Sequence, residues 1–268
     1  MAFVYTGLVS IISDVTEQQK LIYSGRILAS CLYHIEKLLK PGLSCTEIEQ
    51  FALAFVAKYG ATLATIGYRG YKFGTCVSIN DEVVHGLPLA AKLIPETGLV
   101  SVDIMVNYQG LITDAARTYV VGPVNLRTQE LVTATQQAMW AAINLVKPNL
   151  RVGDLGYAME QVAKQYHLGN VTALGGHGVG YQLHDEPLVL STGKPGKGPR
   201  IFENMVFTIE PMFTLGSSEV KFDNTPEDGW TVRTVDGSWA AHEEHTVLVT
   251  KTGCRVLTLL TSEDELST

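Results

Sequence analysis

The chain reads as an α/β (α+β) fold built from two related halves, a mainly antiparallel sheet covered by helices. Three observations predict it. Capping patterns followed by helical periodicity open the chain, one helix-turn-helix segment recurs at a constant offset in the second half, and strand-like alternation follows the first copy with further strand-like runs after the second. With 268 residues, 46% of them hydrophobic, the chain can bury one substantial core, and a single domain spanning residues 1–268 is expected.

The elements follow in order. Ala2 to Ile12 (AFVYTGLVSII) is apolar but lacks a basic leader and a small-residue cleavage site, and the acidic Asp14 follows, so it reads as a packed strand or arm rather than a secretion signal. Thr16 with Gln19 forms a capping-box pattern. The helical repeat then runs through Leu21, Ile22, Ile27, Leu28, Leu32 and Ile35 to a stop at Lys40-Pro41-Gly42. Ser44 with Glu47 starts a second helix that ends near Tyr59-Gly60. LLKPGLSCTEIEQFALAFVAKYG, from Leu38, is matched by LVKPNLRVGDLGYAMEQVAKQYH, from Leu145: Lys40, Pro41, Leu43 and Tyr59 recur as Lys147, Pro148, Leu150 and Tyr166, and Ile48 becomes Leu155. A two-copy plan tends to place a shared site between its halves.

Charge and composition exclude several function classes. A net charge of −7 without a long Lys/Arg run argues against nucleic acid as a direct substrate. The four cysteines, Cys31, Cys45, Cys76 and Cys254, form no CxxC pair, so neither a zinc knuckle nor a disulfide framework is indicated and a reducing cytosol is expected. No apolar run approaches the roughly 20 residues that span a membrane.

Acids and histidines gather where strand patterns do. In LVSVDIMVNYQGLITDAARTYVV, from Leu99, the apolar Val100, Val102, Ile104 and Val106 alternate with Ser101, Asp103 and Met105, and NYQG supplies turn chemistry. With Asn107 to Gly110 as a four-residue loop, Val106 pairs with Leu111 and Asp103 lies directly opposite Asp114. Two carboxylates so placed on an apolar background call for a cation. Glu210 ends the strand-like run MVFTIEP before a proline that cannot continue a ladder, and AAHEEHTVLVT adds Glu243, Glu244 and His245. The glycine-rich VTALGGHGVGYQLHDEP carries His177 and His184. Four carboxylates on strands with at least one histidine make a mixed oxygen and nitrogen set suited to two divalent first-row metals. The spacing does not choose between Glu243 and Glu244.

Across essentially its whole length the chain resembles the type I methionine aminopeptidases, through SIN and HGLP at Ser78 to Pro88, VDI with its second aspartate at Asp114, GGHGVG at Gly175, HDEP at His184, TIEPM at Thr208, GWTV at Gly229 and EHT at Glu244. The resemblance implies the pita-bread fold, whose internal pseudo-twofold symmetry accounts for the repeat. It also implies five ligands for two divalent ions (manganese, iron, cobalt or zinc) at Asp103, Asp114, His177, Glu210 and Glu244, which selects Glu244 over Glu243. His85 and His184 then face the substrate, Glu210 doubles as proton shuttle, and Tyr68, Tyr71, Cys76, Leu183 and Trp230 form the methionine pocket. Three residues depart from the usual pattern. Arg69 in GYRGY replaces a histidine, Thr65 a common cysteine and Leu183 a frequent phenylalanine, and Arg69 either points outward or narrows and charges the entrance.

The implied activity is removal of the N-terminal methionine from nascent polypeptides with a small second residue, by a cytoplasmic monomer of bacterial type working beside the ribosomal exit. The loop from Lys194 to Arg200 (KPGKGPR) is the candidate basic contact there. Two alternatives are an X-Pro peptidase of the same fold, whose relatives carry a large extra N-terminal domain, and a metal-free pita-bread binding protein, which would have lost ligands.

Overall fold

A computed structural model describes residues 7–225, 227–261 and 265–267. In the first half, helices α1 (Val15–Leu38) and α2 (Cys45–Lys58) precede strands β1 (Thr62–Leu63), β2 (Thr75–Ile79), β3 (Glu82–Val84), β4 (Gly98–Tyr108) and β5 (Leu111–Val121). In the second, α3 (Leu126–Ile143) and α4 (Val152–Gln165) precede β6 (Gly169–Asn170), β7 (Gly176–Gly178), β8 (Asp185–Val189), β9 (Val206–Ile209), β10 (Met212–Thr214), β11 (Val220–Phe222), β12 (Val232–Thr234), β13 (Ala240–His242), β14 (His245–Val249) and β15 (Cys254–Val256). Strand pairing is antiparallel throughout these strands, in the orders β15-β14-β9-β7-β8, β13-β10-β6 and β11-β12-β3, with β4 flanked by β5 on one edge and by β1 and β2 on the other.

The N-terminal residues 2–6 lie outside the described residues. From there the chain runs against the second half as an arm, with a bridge from Val9 to Glu186, another from Ile11 to Met205, and Ile12 buried. The first helix starts earlier than its sequence pattern indicates. Asp14, not Thr16, is the cap, its carboxylate accepting from the Glu17 N–H; an aspartate at this position satisfies an orphan amide and complements the helix dipole. At α2 the expected capping box forms, with the Ser44 N–H donating to Glu47 and the Thr46 N–H to the Ser44 hydroxyl.

The two copies match in hydrogen bonding as well as in sequence. Gly42 N–H donates to the Ile94 carbonyl as Asn149 N–H does to Ile201, and Cys45 to Lys92 as Val152 to Pro199. Thr62 pairs with Asn107 and Leu63 with Val106, while Gly169 pairs with Thr214 and Asn170 with Phe213. Each second-half residue follows its counterpart by the interval that separates Lys147 from Lys40. The same interval carries Asp103 onto Glu210 and Met105 onto Met212.

Strand alternation decides what lies on each face. Val100, Val102, Ile104 and Val106 of β4 pack into one core cluster with Ile27, Leu28, Ile35, Ile48 and Phe55 of α1 and α2. In the second half Leu131, Met139, Leu155 and Met159 of α3 and α4 pack with Phe207, Ile209, Phe213 and Val247. Each such fully buried side chain contributes about 1.5–3 kcal/mol. With the helices covering these outer faces, Asp103 and Met105 point to the opposite side, where the two halves meet.

The β4–β5 hairpin has a different register from the expected one. Tyr108 pairs with Leu111, so the loop is only Gln109-Gly110, both with positive φ (52° and 88°), and the Asn107 side chain accepts from the Gly110 N–H. This two-residue turn suits the right-handed twist of the strands, whereas a four-residue loop would have freed two ladder positions. Asp103 therefore lies opposite Ala116 and Asp114 opposite Met105. A shift of the pairing by two residues keeps the side-chain face, so the aspartates remain on one face as diagonal neighbours.

Candidate metal centre and active site

The second half presents its acids by breaking its strands. Pro211 interrupts the ladder between β9 and β10, and the facing strand breaks at the same level, between β13 and β14: Ile209 pairs with His245 and Met212 with His242. Glu210 and Glu244 stand in that double gap, and the Glu244 N–H donates across the halves to the Ala116 carbonyl at 2.9 Å. Glu243 faces away, accepting from the Thr118 N–H at 3.1 Å and the Gln136 amide at 3.2 Å. Of the two, Glu244 lines the cavity between the halves and Glu243 does not.

His177 comes from β7, pressed against its neighbours. A Cβ at Gly176 would come within 2.4 Å of the Thr208 carbonyl oxygen and one at Gly178 within 2.1 Å of the Glu186 carbonyl oxygen, so only glycine fits on either side of the histidine. The ring Nδ1 lies 3.1 Å from the Gly178 carbonyl, an acceptor that fixes the proton there and turns Nε2 toward the acids. Threonines hold the frame: the Thr208 hydroxyl donates to Glu210 and accepts from the His177 N–H, and Thr246 exchanges hydrogen bonds with the Asp114 backbone.

The donors converge on one cavity of about 200 Å³ lined by Asp103, Asp114, His177, Glu210 and Glu244 together with His85, His184, Tyr68, Tyr71, Cys76 and Trp230. Asp114, His177 and Glu244 each offer a ligand atom within 4.8 Å of the other two. His177 Nε2 stands 3.6 Å from Asp114 Oδ2 and 3.5 Å from Glu210 Oε1. These separations are long for hydrogen bonds but are what two donors have when each sits about 2.0–2.2 Å from a shared cation. Asp114 Oδ1 and Glu244 Oε1 are buried without a hydrogen-bond partner among the described residues, each an orphan that costs about 1–3 kcal/mol.

The electrostatics point the same way. Burial pushes Asp103 up to about 6, and burial together with the neighbouring carboxylates pushes Asp114 and Glu244 well above the ordinary carboxylate range. Burial also raises Glu210, but His242, His177 and the Thr208 hydroxyl outweigh it and hold Glu210 below its usual value. Acids this crowded are satisfied by divalent cations, and oxygen donors with imidazole fit the first-row metals.

Beside the acids, Tyr71, Cys76 and Leu87 form a small buried cluster against Phe73 and Trp230, with the Tyr71 and Trp230 rings edge to face at 5.0 Å. Tyr68 stacks on His184 at 5.2 Å, and His184 lies 4.2 Å from the His177 ring. His85 is held with φ at 59°, a left-handed conformation rare for residues other than glycine. Burial lowers His85 to about 4 and His184 far below the usual histidine value, so both rings are neutral near pH 7.

Leu183 is placed differently. It packs against the cluster of Ile12, Leu21, Met105 and Val179 rather than lining the cavity, as the turn after Gly180 meets the N-terminal arm at Ile12. Thr65 lines the cavity but spends its hydroxyl on the Phe73 and Gly74 carbonyls. The residue that the sequence reading missed is His242, which lines the cavity and is 2% exposed. Its one trace in the sequence, a place two positions before Glu244, gains meaning only beside the facing breaks of the two strands.

Comparison with known proteins places the chain among metallopeptidases. Residues 19–251 match the model of metallopeptidase family M24. The chain belongs to metallopeptidase family M24. It is 40% identical over 252 residues to a methionine aminopeptidase of Aquifex aeolicus, covering 91% of this chain and 96% of that one, and 35% identical to one from Escherichia coli K12, covering 90% of each. The crystal structure of methionine aminopeptidase from Thermotoga maritima superposes with a TM-score of 0.91 at 39% identity, covering 94% of this chain and all of that one. A prolidase from Pyrococcus furiosus, 22% identical with a TM-score of 0.76, shares the fold; the match covers 94% of this chain but 66% of the prolidase. This M24 chain thus has the pita-bread fold and is a metal-dependent hydrolase. No helix among the described residues is long and apolar enough to cross a membrane.

Proposed function

We propose that the chain removes the N-terminal methionine from nascent polypeptides whose second residue is small, as one catalytic domain and a cytoplasmic monomer. The observation that carries this reading is a cluster of carboxylates and one imidazole, drawn from both halves, beside an apolar recess of Tyr71, Cys76 and Trp230. Asp103, Asp114, His177, Glu210 and Glu244 would hold two divalent cations. Such cations, when bound, acidify water and polarise a peptide carbonyl.

The chain's own residues supply the rest. Tyr71, Cys76 and Trp230 offer the methionine side chain an apolar wall, and the carboxylates attract the free α-amino group, which confines cleavage to the first peptide bond. His184 and His85, neutral because they are buried, can each donate one hydrogen bond to the scissile peptide without a charge that must be solvated. His184 stabilises the negative charge that develops on the carbonyl oxygen. Glu210, held at its position by the Thr208 hydroxyl, accepts the proton of the attacking water and delivers it to the leaving amine. The exposed loop from Lys194 to Arg200 provides a basic surface for contact with the ribosome.

The test is to assay the purified protein, supplied in turn with manganese, iron, cobalt and zinc, on Met-Ala, Met-Leu and Ala-Pro peptides. Cleavage of Met-Ala well above the other two is expected. Preferential cleavage of Ala-Pro would replace this reading with an X-Pro activity, and no cleavage with any metal would remove the catalytic reading altogether.

A further inference from the structure

His242 lines the cavity but has no role in the reaction proposed above, yet three observations place it beside the acids of the centre. It is buried, and neither ring nitrogen has a hydrogen-bond partner among the described residues. Its Nε2 stands 3.6 Å from Glu210 Oε2 and 4.0 Å from Glu244 Oε2, so Glu210 is flanked by imidazoles, His177 near one oxygen and His242 near the other. These are again distances between donors around a cation rather than hydrogen bonds.

The third observation comes from the internal symmetry. In the first half Met105 pairs with Asp114; in the second, Met212, the counterpart of Met105, pairs with His242. His242 therefore stands where the second copy would repeat Asp114, on the same face of the sheet and aimed at the same cavity. The sheet geometry that presents a ligand in one half presents an imidazole in the other.

We propose that His242 is a sixth protein donor of the metal centre, a second imidazole beside His177; this rests on the reading that Asp103, Asp114, His177, Glu210 and Glu244 hold the cations. The two imidazoles differ in support. Nδ1 of His177 has the Gly178 carbonyl to fix its proton, whereas Nδ1 of His242 has no such acceptor. An imidazole without that support is the weaker ligand of the two. A further nitrogen donor in a set otherwise rich in carboxylates shifts selection from manganese toward cobalt and zinc.

The experiment loads the full chain with cobalt(II) and counts the hyperfine-shifted imidazole N–H resonances by proton NMR. Two are expected in the wild type and one in His242→Gln, with thermal melting used to confirm that the variant is folded. Cobalt titration of the same samples should show binding weakened about tenfold or more in the variant, with the preference for cobalt over manganese reduced. A single resonance in cobalt-loaded wild type would overturn the assignment of His242 and leave the five-residue centre standing. An unchanged count in His242→Gln would do the same. A wild-type chain that binds no cobalt would overturn the centre and this inference together.

Discussion

Glu243 and Glu244 are consecutive residues whose carboxylates lie on opposite sides of the sheet. Glu244 lines the cavity with an Oε1 that has no hydrogen-bond partner among the described residues, whereas Glu243 is buried outside it and accepts hydrogen bonds from Thr118 and Gln136. The alternation that separates them assigns them different chemistry. One faces the cavity between the halves, and the other ties β5 to α3.

Glu243→Gln should therefore leave hydrolysis largely intact and change the pH dependence of stability. Burial pushes Glu243 up to about 7 from an ordinary 4.5, so between those values the folded state holds a proton that the unfolded chain has released. The wild type loses stability as pH rises through that window, by a total on the order of 3 kcal/mol. Glutamine cannot titrate, so the variant should gain on the wild type between pH 5 and pH 8 in urea unfolding of the metal-free proteins. A constant difference across that range would contradict the assigned role.

Asp114→Ala should abolish hydrolysis and release fewer protons when metal is added. In the metal-free wild type Asp103 is raised to about 6, with Asp114 and Glu244 well above the usual range, so cations must displace protons from these acids. Apparent affinity should tighten as pH rises through 6 and beyond. Calorimetric titration with manganese in two buffers of different ionisation enthalpy measures the protons released, and no dependence on buffer or pH would refute the picture. Full activity of Asp114→Ala would refute the centre.

Much of this was legible before any coordinates. The repeat of the KP turns, the capping box at Ser44 and the alternation along β4 depend on neighbours within a few residues, and local chemistry fixes them. The hairpin register was not legible, because NYQG serves a two- or a four-residue loop equally well and the choice is made by strand twist and by pairing along eleven residues. His242 was overlooked for a related reason. A lone histidine is ordinary until the break at Pro211 is seen facing the break at Glu243-Glu244, and that juxtaposition is a tertiary fact. The placement of Leu183 likewise depends on how the turn after Gly180 meets the N-terminal arm at Ile12.

His184→Ala should keep its metal and lose about two orders of magnitude or more in turnover, the size of effect that follows loss of a donor to a developing oxyanion. His184 lies against Tyr68 and the ring of His177, close enough to reach substrate at the cavity wall. Metal content separates the roles of the two histidines. If His184→Ala lost metal while His177→Ala retained it, their assignments would be reversed.

Arg69 stands beside the cavity-lining Tyr68. Its side chain is exposed, and its backbone adopts a φ of 49° between Gly67 and Gly70, both also positive, a tight turn that sets the guanidinium 5.4 Å from the centroid of the Tyr68 ring. Tyr68 stacks in turn on His184, so the cation sits at the outer end of a column that reaches the reacting centre. A charge so placed interacts with the part of the substrate that leaves the cavity, the second residue and beyond, and leaves the methionine recess of Tyr71, Cys76 and Trp230 untouched. Arg69→His should therefore lower activity on Met-Asp relative to Met-Ala, because the variant loses a permanent positive charge that attracts the acidic side chain. Turnover on Met-Ala should stay within about tenfold, or about 1.4 kcal/mol in barrier. Kinetics of both proteins on Met-Ala, Met-Asp and Met-Lys peptides, repeated at high salt to screen the charge, make the check. The same relative rates for both proteins across the three peptides would show that Arg69 lies outside the recognition surface.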